Sequence, residues 1–324
     1  MARLGILERL QNGPVLGDGG YLLELEKRGY VQAGPFTPEV AIENPEALLQ
    51  LHKEFQRAGA EVLQTCTFYA SEDKLRDAGL ADKVEEINRS AVRLARQAAG
   101  LDGLVAGNLC LTWVYDPDSP PARERSLELF RQQVRFQAQE GVDFFIAETF
   151  AWVGEAELAC RAIKEAGYPA MITMNFKNPP VSREGHSPAE SAKRLEAAGA
   201  DIVGANCGRD PYYMLPLAEQ MRAAVSCFVA CQPAGFRCRE DIPYFMGLPE
   251  FPLALDPLQL AREEMADFAR RARQAGIHYI GACCGAPASH IRAMAEALGR
   301  HPEGSAKSAN LKIHPILGQH KAPR

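Results

Sequence analysis

The sequence has no apolar run approaching the roughly 20 residues that cross a bilayer, so no transmembrane helix is expected. Its opening residues, MARLGILERLQNG, lack the long apolar stretch of a secretory signal, and a cytoplasmic location is expected. It also lacks an excess of positive charge. Lys and Arg number 36 against 41 Asp and Glu, a formal net charge of −5. That balance removes any electrostatic reason to expect nucleic acid or an anionic membrane as partner. Nor is there an even complement of cysteines. Nine of them in a chain read as cytoplasmic argue against a disulfide framework and for reduced thiols or metal ligation. Staples are not needed, because 324 residues with 47% hydrophobic content can bury a substantial core.

What is present is alternation. Short apolar runs rich in β-branched residues fall near 14–18, 61–66, 104–109, 143–148, 170–175, 201–206, 227–231 and 279–283. Amphipathic helical stretches lie between them at 45–59, 83–99, 124–140, 154–166, 188–199, 212–224, 258–275 and 288–298. Gly59, Gly141, Gly167, Gly199 and Gly276 stand where left-handed helix C-caps are expected. The strands are nearly continuous in apolar residues, as in parallel strands covered on both faces. Eight β-then-α units in a chain of this length predict a (β/α)8 barrel of the TIM type, spanning about residues 1–300. A doubly wound open sheet also alternates β and α. The barrel is preferred because unusual polar residues gather at the C-terminal strand ends: Asp18, Gln64-Thr65, Glu148, Asn206-Cys207, Gln232 and Cys283-Cys284. Residues 112–123 and 233–257 read as long loops, the second placed to cover a pocket. Residues 301–324 are polar, basic and aperiodic, and are expected to form a flexible tail.

The cysteines at two of these strand ends carry chemistry. Cys207 lies in DIVGANCG, and Cys283 and Cys284 lie in YIGACCG. Adjacent cysteines in a plain strand point to opposite faces. Gly281 and Gly285 flank the pair and permit the sharp turn that would aim both at one point. Strands 6 and 8 of a barrel are separated by one strand, so their ends can converge above the mouth. Three thiolates there match a catalytic zinc site that keeps one position open. Zinc bound by three thiolates is a poor Lewis acid for activating water. It is suited to binding a further thiol and lowering its pKa, which points to alkyl transfer to sulfur. The bland alternative for each cysteine alone is core packing. Cys110, Cys160 and Cys227 read that way, while Cys66 beside Thr65 is placed to line a pocket.

The segments GDGGYLLELEKRGYVQAGPFTPE, LHKEFQRAGAEVLQTCTFYASEDKL, FFIAETF, GANC, LPEFPLALDP and YIGACCG resemble the betaine–homocysteine S-methyltransferases. More broadly they resemble the homocysteine S-methyltransferase domain, over about residues 5–299. The resemblance implies a zinc enzyme that methylates homocysteine from an onium donor, with Cys207, Cys283 and Cys284 as ligands. It implies that Asp18, Gly19 and Thr65 meet the amino-acid part of homocysteine, and that Glu148 binds its ammonium near the methyl donor. Phe36 and Tyr69 would flank a quaternary ammonium, which has no N–H to donate and is held by aromatic faces. Gln64 and Gln232 are candidates for orienting the donor carboxylate.

The chain departs from the pattern of those enzymes at two positions, with Phe36 in place of Trp and Thr149 in place of Tyr. The resemblance also stops short of their C-terminal extension. Donor identity is therefore open between betaine, which is favoured, and a sulfonium such as S-methylmethionine or dimethylsulfoniopropionate. The oligomeric state is equally open, with room for a homo-oligomer. The alternative of another class is a catalytically silent zinc-binding regulatory protein on the same scaffold.

Overall fold

A computed structural model of the chain describes residues 3–308, 313 and 316. Among these are eight strands: β1 Val15–Leu16, β2 Val62–Gln64, β3 Leu104–Cys110, β4 Phe144–Phe150, β5 Ala170–Met174, β6 Ile202–Asn206, β7 Phe228–Gln232 and β8 Tyr279–Ile280. All seven ladders are parallel, in the order β1-β8-β7-β6-β5-β4-β3-β2. The two ends of that order meet, because Glu61 N–H donates to Leu16 O at 2.9 Å. The sheet is a (β/α)8 barrel, as the alternation predicts.

Helix α1 (Ile6–Asn12) precedes β1. The β1–β2 crossover holds α2 (Leu22–Lys27), α3 (Val40–Glu43) and α4 (Pro45–Ala58). Between β2 and β3 run α5 (Glu72–Asp77) and α6 (Val84–Ala99). One helix then follows each strand: α7 Pro120–Ala138, α8 Val153–Glu165, α9 Pro188–Ala197, α10 Pro211–Ala224, α11 Arg262–Gln274 and α12 Ala288–Ala297. The five expected C-cap glycines have φ of 107, 85, 82, 96 and 73°, the left-handed conformation that glycine adopts without steric cost.

Two apolar layers result. Inside the barrel, Val15, Val62, Leu104, Phe144, Ile146, Met171, Ile202 and Tyr279 form one cluster, closed at the N-terminal end by Ile6 and Leu10 of α1. The strand faces pointing outward pack on the helices, with Leu48, Leu51 and Phe55 of α4 among the fully buried residues.

Several boundaries differ from expectation. β1 and β8 are only two residues long, so Asp18, Cys283 and Cys284 stand in the turns beyond the strands and not at their last positions. The loop after β7 contains short 3-10 turns at Phe245–Gly247 and Asp256–Leu258, and α11 starts at Arg262, later than expected. The chain also stays structured past 300. Glu303–Lys307 form a 3-10 helix, and Glu303 pairs with Arg57 of α4 at 3.2 Å. The rest of the expected tail (309–312, 314, 315 and 317–324) lies outside the described residues.

Candidate metal centre and cavity

The exit of β7 is the frame on which the cysteines converge. Cys207 N–H donates to Gln232 O at 2.9 Å, and Cys283 N–H donates to Pro233 O at 2.8 Å. Gly235 N–H closes the set by donating to Cys284 O at 2.8 Å. The strand between β6 and β8 thus holds both cysteine segments by main-chain hydrogen bonds. Cys207 has φ +58°, unusual for a residue with a Cβ, and this turns its side chain off the line of β6. Cys283–Ala286 is a turn closed by Ala286 N–H on Cys283 O at 3.1 Å, with Gly285 at φ +79°. All three sulfurs lie within 4.8 Å of one another, and Cys207 Sγ and Cys284 Sγ are 3.8 Å apart. That separation is far too long for a disulfide, whose sulfurs stand about 2.05 Å apart. Tetrahedral zinc with Zn–S bonds of about 2.3 Å places its sulfurs about 3.8 Å apart. The donor set and its spacing therefore fit zinc.

The turn after β1 must approach this centre closely. A Cβ on Gly20 would lie 2.8 Å from Cys283 O and 3.2 Å from Cys284 Cα. One on Gly19 would lie 2.3 Å from Ala286 O. The GDGG sequence is thus a packing requirement of the cysteine turn.

A cavity of about 190 Å³ opens beside the sulfurs. Of the residues singled out from sequence, Gly19, Gln64, Thr65, Tyr69, Glu148, Cys207, Cys283 and Cys284 line it. Cys66 does too. Phe36 and Gln232 do not. Phe36 precedes the 3-10 turn Thr37–Glu39, whose Thr37 and Pro38 form the wall in its stead. Gln232 is buried, with its side chain packed beside Gly281. Asp18 is fully buried behind the lining residues. The Thr65 hydroxyl is already engaged, with Thr67 Oγ1 at 2.8 Å and Asn108 N–H at 2.9 Å. Tyr21, Phe68, Phe245 and Met246 also line the cavity, although nothing in their spacing marked them.

Two buried carboxyls dominate the electrostatics. Asp18 Oδ2 accepts from Tyr21 Oη and from Gln64 N–H, both at 2.6 Å. Its other oxygen has no partner among the described residues. Burial raises its pKa to about 6, against the opposing pull of those two donors. Glu148 is clamped from both sides. Asn108 Nδ2 donates to Oε1 and Asn206 Nδ2 to Oε2, each at 2.7 Å. Burial raises its pKa to about 7, with the nearby Asp18 charge adding to the rise. Beneath Tyr21 lies His52, whose Nδ1 is 2.9 Å from the Tyr21 hydroxyl. Burial lowers its pKa to about 3, so it stays neutral. A pocket with two carboxyls destabilised by burial is poised to gain from an arriving cation.

The chain matches known proteins along nearly all of its length. The sequence profile of the homocysteine S-methyltransferases matches residues 15–298. Betaine–homocysteine S-methyltransferase 1 of Danio rerio is 45% identical over 97% of this chain and 82% of its own. S-methylmethionine–homocysteine S-methyltransferase of Pongo abelii is 44% identical over 92% of this chain and 82% of its own. In three dimensions, the homocysteine methyltransferase MmuM from Escherichia coli, in its metallated form, aligns with a TM-score of 0.72. It is 20% identical, and the match covers 93% of this chain and 99% of that one, a likeness of fold.

Proposed function

Because the chain belongs to the homocysteine S-methyltransferase family, we propose that it moves a methyl group from an onium donor to homocysteine in the cavity beside Cys207, Cys283 and Cys284, and that these cysteines hold zinc. Its relatives include enzymes named for betaine and for S-methylmethionine, both methylated cations. One observation carries the reading: three sulfurs within 4.8 Å of one another line the same cavity as a buried carboxyl, Glu148.

Bound zinc would make the substrate thiol acidic enough to be a thiolate near neutral pH. The protein's own groups position the rest. Glu148, fixed by Asn108 and Asn206, takes the homocysteine ammonium, and that cation keeps Glu148 ionised. The Gly19 segment borders the remainder of the amino-acid group, with Asp18 bracing Tyr21 and Gln64 from behind and Thr65 shaping the wall. Gln64 and Tyr69 face the donor, Gln64 being held by Asn108 Nδ2 at 2.8 Å. Phe36 precedes the turn that brings Thr37 and Pro38 to the wall, and Gln232 packs beside Gly281. In the transfer a sulfur–carbon bond forms as the onium–methyl bond breaks, and its electron pair leaves with the neutral product. Charge is dispersed on the way, so a cavity lined by the apolar Phe245 and Met246 favours it over water.

Zinc quantification on reduced protein, coupled to methionine formation from homocysteine with betaine, S-methylmethionine or dimethylsulfoniopropionate, tests this reading. One zinc per chain is expected, lost with most turnover in Cys207→Ser and on chelation, and restored to the wild type by added zinc. Full turnover by a zinc-free Cys207→Ser protein would overturn it.

A further inference from the structure

A second cavity, of about 390 Å³, lies beside the first and shares two wall residues with it, Thr149 and Met246. It sits over the exits of β3, β4 and β5. Its aromatic wall is the Tyr115–Trp152 pair, with ring centroids 6.1 Å apart. A Cβ on Gly154 would fall 2.5 Å from the Tyr115 hydroxyl, so the ring settles over the first turn of α8 only because glycine stands there. The loop after β5 is bolted to that same turn. Arg183 N–H donates to Ala151 O at 2.8 Å, and Glu184 accepts from Val153 and Gly154 N–H at 3.0 and 2.8 Å.

This frame presents charges of both signs. The Arg183 guanidinium lies over the Trp152 ring at 5.7 Å, and Lys177 lines the same cavity. Among the described residues, neither cationic group has an ion pair or hydrogen bond. Glu155, only 1% exposed, also lines the cavity. Its Oε1 accepts from Thr112 N–H at 2.6 Å and Thr112 Oγ1 at 2.8 Å. Its Oε2 has no hydrogen-bond partner among the described residues. Burial raises this carboxyl's pKa to about 7, against the opposing pull of its Thr112 donors and of the nearby Lys74 ammonium.

Two unpaired cations and one buried carboxyl around an aromatic wall complement a zwitterion. The cations match a carboxylate and Glu155 matches an ammonium. Betaine or dimethylsulfoniopropionate offers the carboxylate but no ammonium, and so leaves Glu155 unanswered. We propose that this second cavity is the tail subsite of the methyl donor, and that it takes the α-amino carboxylate of a sulfonium donor such as S-methylmethionine. The proposal rests on the reading of the first cavity as the methyl-transfer site, which the sulfonium end reaches past Thr149 and Met246. The sulfonium S–CH₃ bond breaks with its electron pair left on sulfur, the methyl joins homocysteine sulfur, the thiol proton goes to solvent, and both products are methionine.

The test compares wild type with the double variant Arg183→Gln plus Lys177→Gln at saturating homocysteine. Donors are S-methylmethionine, dimethylsulfoniopropionate and betaine, with thermal melting as the folding control. Wild type should use S-methylmethionine better than dimethylsulfoniopropionate. The double variant should raise the S-methylmethionine KM about tenfold. A second variant, Glu155→Gln, should lower the ratio of kcat/KM for S-methylmethionine over dimethylsulfoniopropionate, which has no ammonium, about tenfold through the S-methylmethionine KM. An unmoved ratio, or no preference for the amino-acid tail, overturns the proposal. Trp152 fluorescence titrated with S-methylmethionine alone judges the subsite separately. Binding that weakens about tenfold in the double variant supports it, and absence of binding overturns it. Protein that binds S-methylmethionine yet transfers from no donor would overturn the methyl-transfer reading instead.

Discussion

Asn206 has four hydrogen-bonding capacities and uses all of them. Its amide hydrogens go to Glu148 Oε2 and Thr149 Oγ1, both at 2.7 Å. Its oxygen accepts Thr149 N–H at 2.9 Å and Thr173 Oγ1 at 2.8 Å. Thr149 needs that support, because it is a β-branched residue held at φ +67°. Asn206→Ala should therefore cost about 2–4 kcal/mol in denaturant unfolding, as it strands a buried carboxyl oxygen and a main-chain N–H. Glu148 itself gives a pH test. Its proton is held more tightly in the folded state, so its stability contribution is full below about pH 4.5 and is lost as pH rises through about 7. Glu148→Gln lacks this loss. In zinc-free protein without substrate, the variant should gain on wild type by about 3 kcal/mol between pH 4.5 and 8, read from paired urea midpoints. A gap that stays constant with pH would show that burial does not set this carboxyl's pKa. At this scale the sequence reveals the strand-end residues, since acids and cysteines stand out against apolar runs. It does not reveal Asn108, Asn206 or Thr173, because which face a polar strand residue presents depends on neighbours far away in the chain. Phe36 was misplaced for a similar reason: its loop folds into a 3-10 turn that sends Thr37 and Pro38 to the wall.

Among elements, the decisive contact is between the turn after β1 and the turn after β8. Each is built around glycines that let two backbones touch. Gly20→Ala would drive a methyl against Cys283 O at 2.8 Å, and backbone cannot yield as a flexible side chain can. The expected result is a loss of about 1–3 kcal/mol in stability together with a weaker hold on zinc, measured by competition with a chelator. Asp18 ties the same seam. Its carboxylate accepts Gln64 N–H, standing in for a main-chain carbonyl where β1 has ended. The eight longer helices were legible because each carries several turns of one period, and the eight strands because each falls in a short apolar run between helical stretches. The short α2, α3 and α5 were not, because four to six residues inside a long crossover hold too little periodicity to stand out.

Over the molecule as a whole, the two ends of the barrel do different work. The N-terminal end is sealed by α1, and Leu10 packs there among the strand starts at 3% exposure. Leu10→Ala should destabilise by about 2–5 kcal/mol while the homocysteine KM of the surviving folded enzyme stays that of wild type. A shifted KM would show that the plug is coupled to the mouth. The C-terminal end carries two chambers in place of one, meeting at Thr149 and Met246. Two cavities that share these wall residues can be occupied together. Initial-rate plots at varied concentrations of both substrates should then give lines that intersect, the sign of a ternary complex, with no methylated protein accumulating when the donor is supplied alone.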